Sequence, residues 1–268
     1  MYLAAAVQLN ATSNTERNWE QLTTLVGRAA KYGASLVASP ENTNFLGPHD
    51  LKVQIAETLQ GETVQRYQDL ANTHGIHLLI GSVNERSDES NRCYNTSVLL
   101  GPNGDLLASY RKMHLFDVDV SDDVRFLEST TTVPGNTPVV ADTALGRIGL
   151  SICYDLRFPQ LYQRLRDDGA ELIAVPSAFT MTTGQAHWNP LLRARAIETQ
   201  SYVLAPGQYG HHDDDGLRHS YGHSIIVDPW GAVTGQSSDG PGLALAEVDL
   251  ERLRSIRRSM PITEHRRL

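Results

Sequence analysis

Strand-sized apolar runs alternate along this chain with helix-length amphipathic segments, and that alternation restricts it to α/β folds in which helices cover buried strands. Residues 2–9 form the first apolar run, closed by the polar turn Asn10-Ala11-Thr12-Ser13-Asn14. A helix is predicted next. Ser13 followed by Glu16 fits a capping box, and Trp19, Leu22, Val26 and Ala30 keep helical spacing up to Gly33, the predicted C-cap. Ser35 to Ser39 is the second buried run, ending at Pro40-Glu41-Asn42.

The rhythm continues with a helix predicted over Glu62 to Thr73, ending near Gly75, and a strand over His77 to Val83. A hairpin then pairs Tyr94 to Leu100 with Leu106 to Arg111 across Gly101-Pro102-Asn103-Gly104-Asp105. Met113 to Pro138 reads as a long irregular stretch, and loops of that length are uncommon unless functional, so it is expected to wall a site. In the second half, strands are predicted at Val139 to Asp142, Arg147 to Ile152, Leu172 to Val175, Tyr202 to Ala205, Ser224 to Val227 and Leu243 to Val248. Helices are predicted over Pro159 to Asp168, from about Ala186 to Gln200, and from Leu250.

At 268 residues, 40% hydrophobic, the chain can bury a sizeable core, and no Gly/Ser linker or composition break divides it, so one domain over 1–268 is expected. A formal net charge of -8 offers no footprint for phosphate backbones, which argues against nucleic acid as a partner. No apolar run approaches the roughly 20 residues of a membrane-spanning helix. The start of the chain has neither a positive region nor a small-residue cleavage site. Two cysteines, Cys93 and Cys153, are too few for a disulfide framework. A soluble, cytoplasmic protein is expected.

Cys153 carries the strongest chemical signal. In Gly149-Leu150-Ser151-Ile152-Cys153-Tyr154-Asp155 it stands where an apolar strand ends and a Pro-started helix is about to begin, the setting of a nucleophile elbow. A buried structural cysteine is the competing reading. Cys93 has no such setting and reads as structural. An ordinary thiol is mostly protonated near neutrality, so a nucleophilic one needs a base or a neighbouring cation. Glu41 and Lys112 lie at two other strand ends, and in α/β sheets ligands bind outside the carboxyl ends of strands. Each taken singly also reads as a solvated loop charge.

The three motifs together resemble those of the nitrilase, or carbon-nitrogen hydrolase, superfamily. They stand here as Ser39-Pro40-Glu41-Asn42, Tyr110-Arg111-Lys112-Met113-His114-Leu115-Phe116-Asp117, and the run from Gly149 through Cys153 to Pro159. Pro176-Ser177-Ala178-Phe179, Ala186-His187-Trp188, Ser220-Tyr221-Gly222-His223-Ser224 and Val227-Asp228-Pro229-Trp230-Gly231 are similar to the Nit branch of that superfamily. The resemblance runs from Ala4 to the C-terminus. It implies an αββα sandwich that pairs as an αββα-αββα homodimer, with no cofactor and no metal.

The resemblance also implies a small-molecule amide substrate and a division of labour. Cys153 is the nucleophile, Glu41 the general base and acid, and Lys112 with the backbone N–H of Tyr154 the oxyanion holder. Glu128 matches the family's second glutamate and supports Lys112. Arg157 offers a fork for a substrate carboxylate, its rival role being a salt bridge at the helix start. The implied substrate is the amide of deaminated glutathione, split into 2-oxoglutarate and cysteinylglycine in a step of metabolite repair. The alternatives are ω-amides such as 2-oxoglutaramate and 2-oxosuccinamate, or a catalytically silent binding protein of the same fold.

Other features read as bland. Gly210-His211-His212-Asp213-Asp214-Asp215-Gly216 looks like a ligand cluster, but consecutive side chains on one loop do not easily converge on an ion, so a solvated loop is expected. His114, His187 and His223 read as packed or hydrogen-bonding residues near the pocket. Arg193, Arg195 and Glu198 read as a structural ion-pair face near the dimer seam.

Overall fold

In the computed structural model, which describes residues 1–121, 124–212 and 218–267, the chain opens as β1 (Tyr2–Gln8), α1 (Thr15–Lys31), β2 (Ala34–Ala38), α2 (His49–Gln54), α3 (Glu62–His74), β3 (His77–Arg86), β4 (Cys93–Leu100) and β5 (Leu106–Arg111). A hairpin, β6 (Asp117–Ser121) and β7 (Val124–Leu127), leads to β8 (Val139–Thr143), β9 (Gly146–Leu150), α4 (Pro159–Asp167), β10 (Leu172–Ala174), α5 (Met181–Thr199) and β11 (Tyr202–Ala205). The chain closes with β12 (Tyr209–His211), β13 (His219–Tyr221), β14 (Ile225–Val227), β15 (Val233–Gln236), β16 (Gly242–Val248), α6 (Leu250–Ser259) and α7 (Ile262–His265).

The larger strands form two six-stranded sheets, ordered β16-β1-β2-β3-β4-β5 and β15-β14-β11-β10-β9-β8. Side chains alternate across a strand, so each sheet has two faces to bury. On β1, Ala4 and Ala6 join an apolar layer with Leu36 and Ala38 of β2 and with Ile148, Leu150 and Leu204 of the other sheet. Ala5 and Val7 point the other way, against Leu22 and Val26 of α1 and Leu70 of α3. Leu161 and Leu165 of α4 and Trp188 and Leu192 of α5 pack onto the second sheet. Helix, sheet, sheet, helix is the order of layers, the sandwich expected of the nitrilase superfamily. Among the described residues, no helix is long and apolar enough to cross a membrane.

Several expectations need correction. Asn14 caps α1, not Ser13; its side-chain oxygen accepts from the Arg17 N–H at 3.0 Å, a role asparagine fills as well as serine. α5 begins at Met181, ahead of Ala186. Thr182, Thr183 and Gly184 are weak helix formers, but Gly184 is needed there because a Cβ would meet Tyr221 at 2.4 Å, and packing against β13 overrides propensity. The stretch from Met113 to Pro138 is not irregular throughout. It holds the β6–β7 hairpin, whose Asp117-Val118-Asp119-Val120 run alternates with the period of a strand, and a 3-10 turn over Glu128–Thr130.

Candidate active site

Three strand ends converge. β1, β2 and β3 run parallel, and β5 lies two antiparallel steps beyond β3, so the carboxyl ends of β2 and β5 share one edge of the first sheet. β9, β10 and β11 run parallel in the second sheet. Glu41 follows β2, Lys112 follows β5 and Cys153 follows β9. Gly81, within β3, lets the edges meet. A Cβ there would lie 2.1 Å from the Ser39 carbonyl and 2.4 Å from Pro176, so any side chain would push apart the segments leading to Glu41 and flanking Cys153.

Lys112 is the hub. Its Nζ donates to Glu41 Oε1 at 2.8 Å and to Glu128 Oε2 at 2.9 Å, and the residue is 2% exposed. Burial opposes its charge, but the carboxylates of Glu128 and Glu41 outweigh that and hold its pKa well above the ordinary lysine value. Burial likewise works against the Glu128 carboxylate, and Lys112, with help from Lys52 and the Phe116 N–H at 2.7 Å, reverses the balance and holds its pKa well below the usual range. Glu41 Oε2 accepts from the Ala178 N–H at 2.9 Å. Asn95 Nδ2, on β4, donates to Glu41 Oε1 at 3.0 Å and to Glu128 Oε1 at 3.3 Å, tying the two carboxylates together.

Cys153 sits in a left-handed backbone conformation, φ 46°, that a non-glycine residue adopts only when its surroundings impose it. Its N–H donates to the Pro176 carbonyl at 2.9 Å, and Asp155, fully buried, anchors the turn. Asp155 Oδ2 accepts from the Ile152 N–H at 2.8 Å and the Tyr110 hydroxyl at 2.7 Å. Its Oδ1 accepts from the His114 N–H at 3.0 Å and lies 2.7 Å from His114 Nδ1. One carboxylate thus binds the segment carrying Cys153 to the segment carrying Lys112. Burial first, and then the negative charge of Glu41, push the Cys153 thiol pKa well up; Lys112 opposes them without winning. The resting thiol is protonated beside a carboxylate. Tyr154 follows in the first turn of a 3-10 helix over Cys153–Arg157, where backbone N–H groups lack partners within the helix.

Glu41, Lys112, Glu128, Cys153 and Tyr154 line a cavity open to solvent. Its cations among the described residues are Lys52, Lys112, Arg157 and Arg218. Arg157 stands 5.2 Å over Phe179 and 5.9 Å over Tyr154 and approaches His187 Nδ1 at 3.4 Å; no carboxylate of the described residues pairs with it. The helix-start salt bridge considered for Arg157 is absent among those residues.

The structure therefore brings Glu41, Lys112, Glu128, Cys153, Tyr154 and Arg157 to one cavity. Asn95, Asp155 and Lys52 also belong to this neighbourhood and were not singled out from the sequence. Asp155 stood two residues from Cys153 as a visible signal; the other two carry none. Cys93 is buried outside the cavity wall, with its Sγ 3.7 Å from the Thr131 carbonyl. His114 stacks on Phe158 at 3.7 Å, and His223 Nδ1 lies 2.9 Å from the Tyr221 carbonyl. Of the histidine–aspartate loop, His211 stacks on His219 and His212 bonds the Ala11 carbonyl and Ser220, while Asp213 to Gly216 lie outside the described residues. Arg195 and Glu198 pair at 2.6 Å on α5, and Arg193 donates to the Gly231 carbonyl instead.

Comparison with known proteins agrees with this geometry. A carbon-nitrogen hydrolase family model matches residues 3–258. A curated deaminated glutathione amidase of Synechocystis is 42% identical over 99% of this chain and 98% of its own length. The curated Homo sapiens protein of the same name is 43% identical over 99% of this chain and 82% of its own. The crystal structure of Saccharomyces cerevisiae Nit3, described as a member of branch 10 of the nitrilase superfamily, superposes with a TM-score of 0.89 at 33% identity, covering 100% of this chain and 97% of that one.

Proposed function

The chain belongs to the carbon-nitrogen hydrolase family, and from that premise we propose that it is a cysteine amidohydrolase whose substrate is deaminated glutathione. The observation that carries the reading is the Lys112 ammonium set between two buried carboxylates, Glu41 and Glu128, in the cavity that Cys153 lines. The substrate assignment is supported by relatives of that name at 42% and 43% identity over nearly the whole chain.

In the proposed chemistry Glu41 takes the Cys153 proton as Sγ bonds to the amide carbon. The thiol is buried and protonated at rest, so deprotonation accompanies attack. The carbonyl oxygen becomes an oxyanion held by Lys112 Nζ and the Tyr154 N–H; a donor of this kind is commonly worth about 3–4 kcal/mol. Glu41 returns its proton to the departing nitrogen as the C–N bond breaks, leaving a Cys153 thioester and free cysteinylglycine. Glu41 then draws a proton from water, the hydroxyl adds to the thioester, and collapse releases 2-oxoglutarate while the proton returns to Sγ. Glu128 and Asn95 keep Lys112 and Glu41 in place. Arg157, without a carboxylate of its own, is a fork for the carboxylate of the oxo-acid portion.

We also assign a homodimer and a cytoplasmic setting. Ile197, near the end of α5, and Trp230 are large apolar side chains left 50% and 57% exposed, which suits pairing. Two free cysteines, one of them the proposed nucleophile, suit a reducing compartment.

The deciding experiment offers the purified protein deaminated glutathione, 2-oxoglutaramate and glutathione and compares kcat/KM, with 2-oxoglutarate release as the assay for the two oxo-acid amides and glutamate release for glutathione. Deaminated glutathione is expected to lead. Preference for 2-oxoglutaramate would make the protein an ω-amidase, and absence of turnover with every amide would leave a silent binding protein.

A further inference from the structure

Besides Lys112, the cavity wall carries a second buried cation, on α2. Lys52 is 9% exposed and its Nζ donates to Thr132 Oγ1 at 2.7 Å; it forms no ion pair with any described residue. His49, one turn earlier, bonds Thr131 Oγ1 at 3.0 Å and the Arg218 guanidinium, and both His49 and Arg218 line the same wall. The contrast with Lys112 is sharp: that ammonium has two carboxylates, and Lys52 has a neutral hydroxyl. Glu128, an acid near enough to influence Lys52, is already committed to Lys112 and the Phe116 N–H. Burying an ammonium without a counter-charge is costly and is offset when an anion meets it. Two of its three donors remain for that anion.

We infer that Lys52 is a specificity-determining residue that holds a second substrate carboxylate, so that the cavity selects an amide flanked by two carboxylates. The inference rests on the amidase reading above and deepens it. Deaminated glutathione carries two such groups, one on its oxo-acid portion and one on its C-terminal glycine. An ω-amide such as 2-oxoglutaramate carries one, and its leaving group is ammonia. With Arg157 assigned to the oxo-acid carboxylate, Lys52 is left for the glycine carboxylate, the group that separates the two substrates.

The test needs two variants and one analogue. The unmodified enzyme should turn over deaminated glutathione with a kcat/KM at least about tenfold above that for its C-terminal glycinamide analogue, in which the second carboxylate is neutral. Lys52→Met should lower the ratio of kcat/KM for deaminated glutathione over 2-oxoglutaramate by about tenfold or more, through KM rather than kcat. Lys52→Arg should restore part of it. Equal kcat/KM for acid and amide analogues in the unmodified enzyme overturns the inference whether or not the Met variant folds, as does a ratio that Lys52→Met leaves unmoved. Failure of the unmodified enzyme to cleave deaminated glutathione overturns the functional reading and the inference with it, which sets that outcome apart from failure of the inference alone.

Discussion

Cys93 and Cys153 are both buried, and burial raises the pKa of both thiols, so an unusually acidic sulfur is not what sets them apart. Their surroundings do. Cys93 opens β4 in a regular strand, with its N–H and Sγ directed at the Thr131 carbonyl. Cys153 is forced into positive φ at the end of β9, faces a cavity, and has the Glu41 carboxylate at hand. The comparison teaches that two buried thiols with raised pKa values can still differ in their chemical setting: only Cys153 has the adjacent carboxylate and pinned backbone that the proposed nucleophile needs.

The largest effect that would break this comparison is a reversal of the two alanine variants. Cys153→Ala is expected to lower kcat by at least about 10⁴-fold, whereas Cys93→Ala should keep kcat within about fivefold and lose about 1–2 kcal/mol of unfolding free energy. Steady-state kinetics and denaturant melts measure both, and matched losses of activity would sink the distinction. A middle-sized effect sharpens it. Asp155→Asn should lower kcat by roughly 10²-fold, with KM moving much less, because the turn holding Cys153 loses its tie to the His114 segment. An equal fall in kcat after Cys93→Ala would show that general packing is responsible.

The smallest effect concerns stability against pH on the Cys93 side, where His49 shares the Thr131–Thr132 segment with Lys52. Burial first, then Arg218 and Lys52, lower the His49 pKa from 6.5 to about 4. Between those values the unfolded chain binds a proton that the folded chain does not. Stability from this site is therefore full above about 6.5 and declines as pH falls towards 4. His49→Gln should flatten that part of a melting-temperature profile; an unchanged slope would remove His49 as its source.

Much of this architecture is legible in the sequence because it follows from periodicity. The apolar runs ending before Glu41, Lys112 and Cys153 mark three strand ends, and the parallel order of β2 and β3 and of β9 and β10 sends them to one place. Glu128 came from resemblance alone, since a loop glutamate has no pattern of its own. What stayed hidden depends on contacts between distant segments. Asn95 reads as an ordinary strand residue until Glu41 and Glu128 are brought to it. Lys52 lies on α2, six residues long, too short for a helical period to register. Gly81 looks like a weak point in a strand until Ser39 and Pro176 crowd its α-carbon.

The second carboxylate on Lys112 has a consequence for charge during turnover. In the proposed cycle one negative charge leaves Glu41, resides on the substrate oxygen, and returns; none is created or destroyed inside the cavity. While Glu41 holds the proton, Glu128 still faces the ammonium at 2.9 Å, so Lys112 keeps a counter-ion throughout and has no reason to surrender its own proton. The reaction then moves an anion by a few ångströms around a fixed cation, and the buried cluster carries the same total charge at every step.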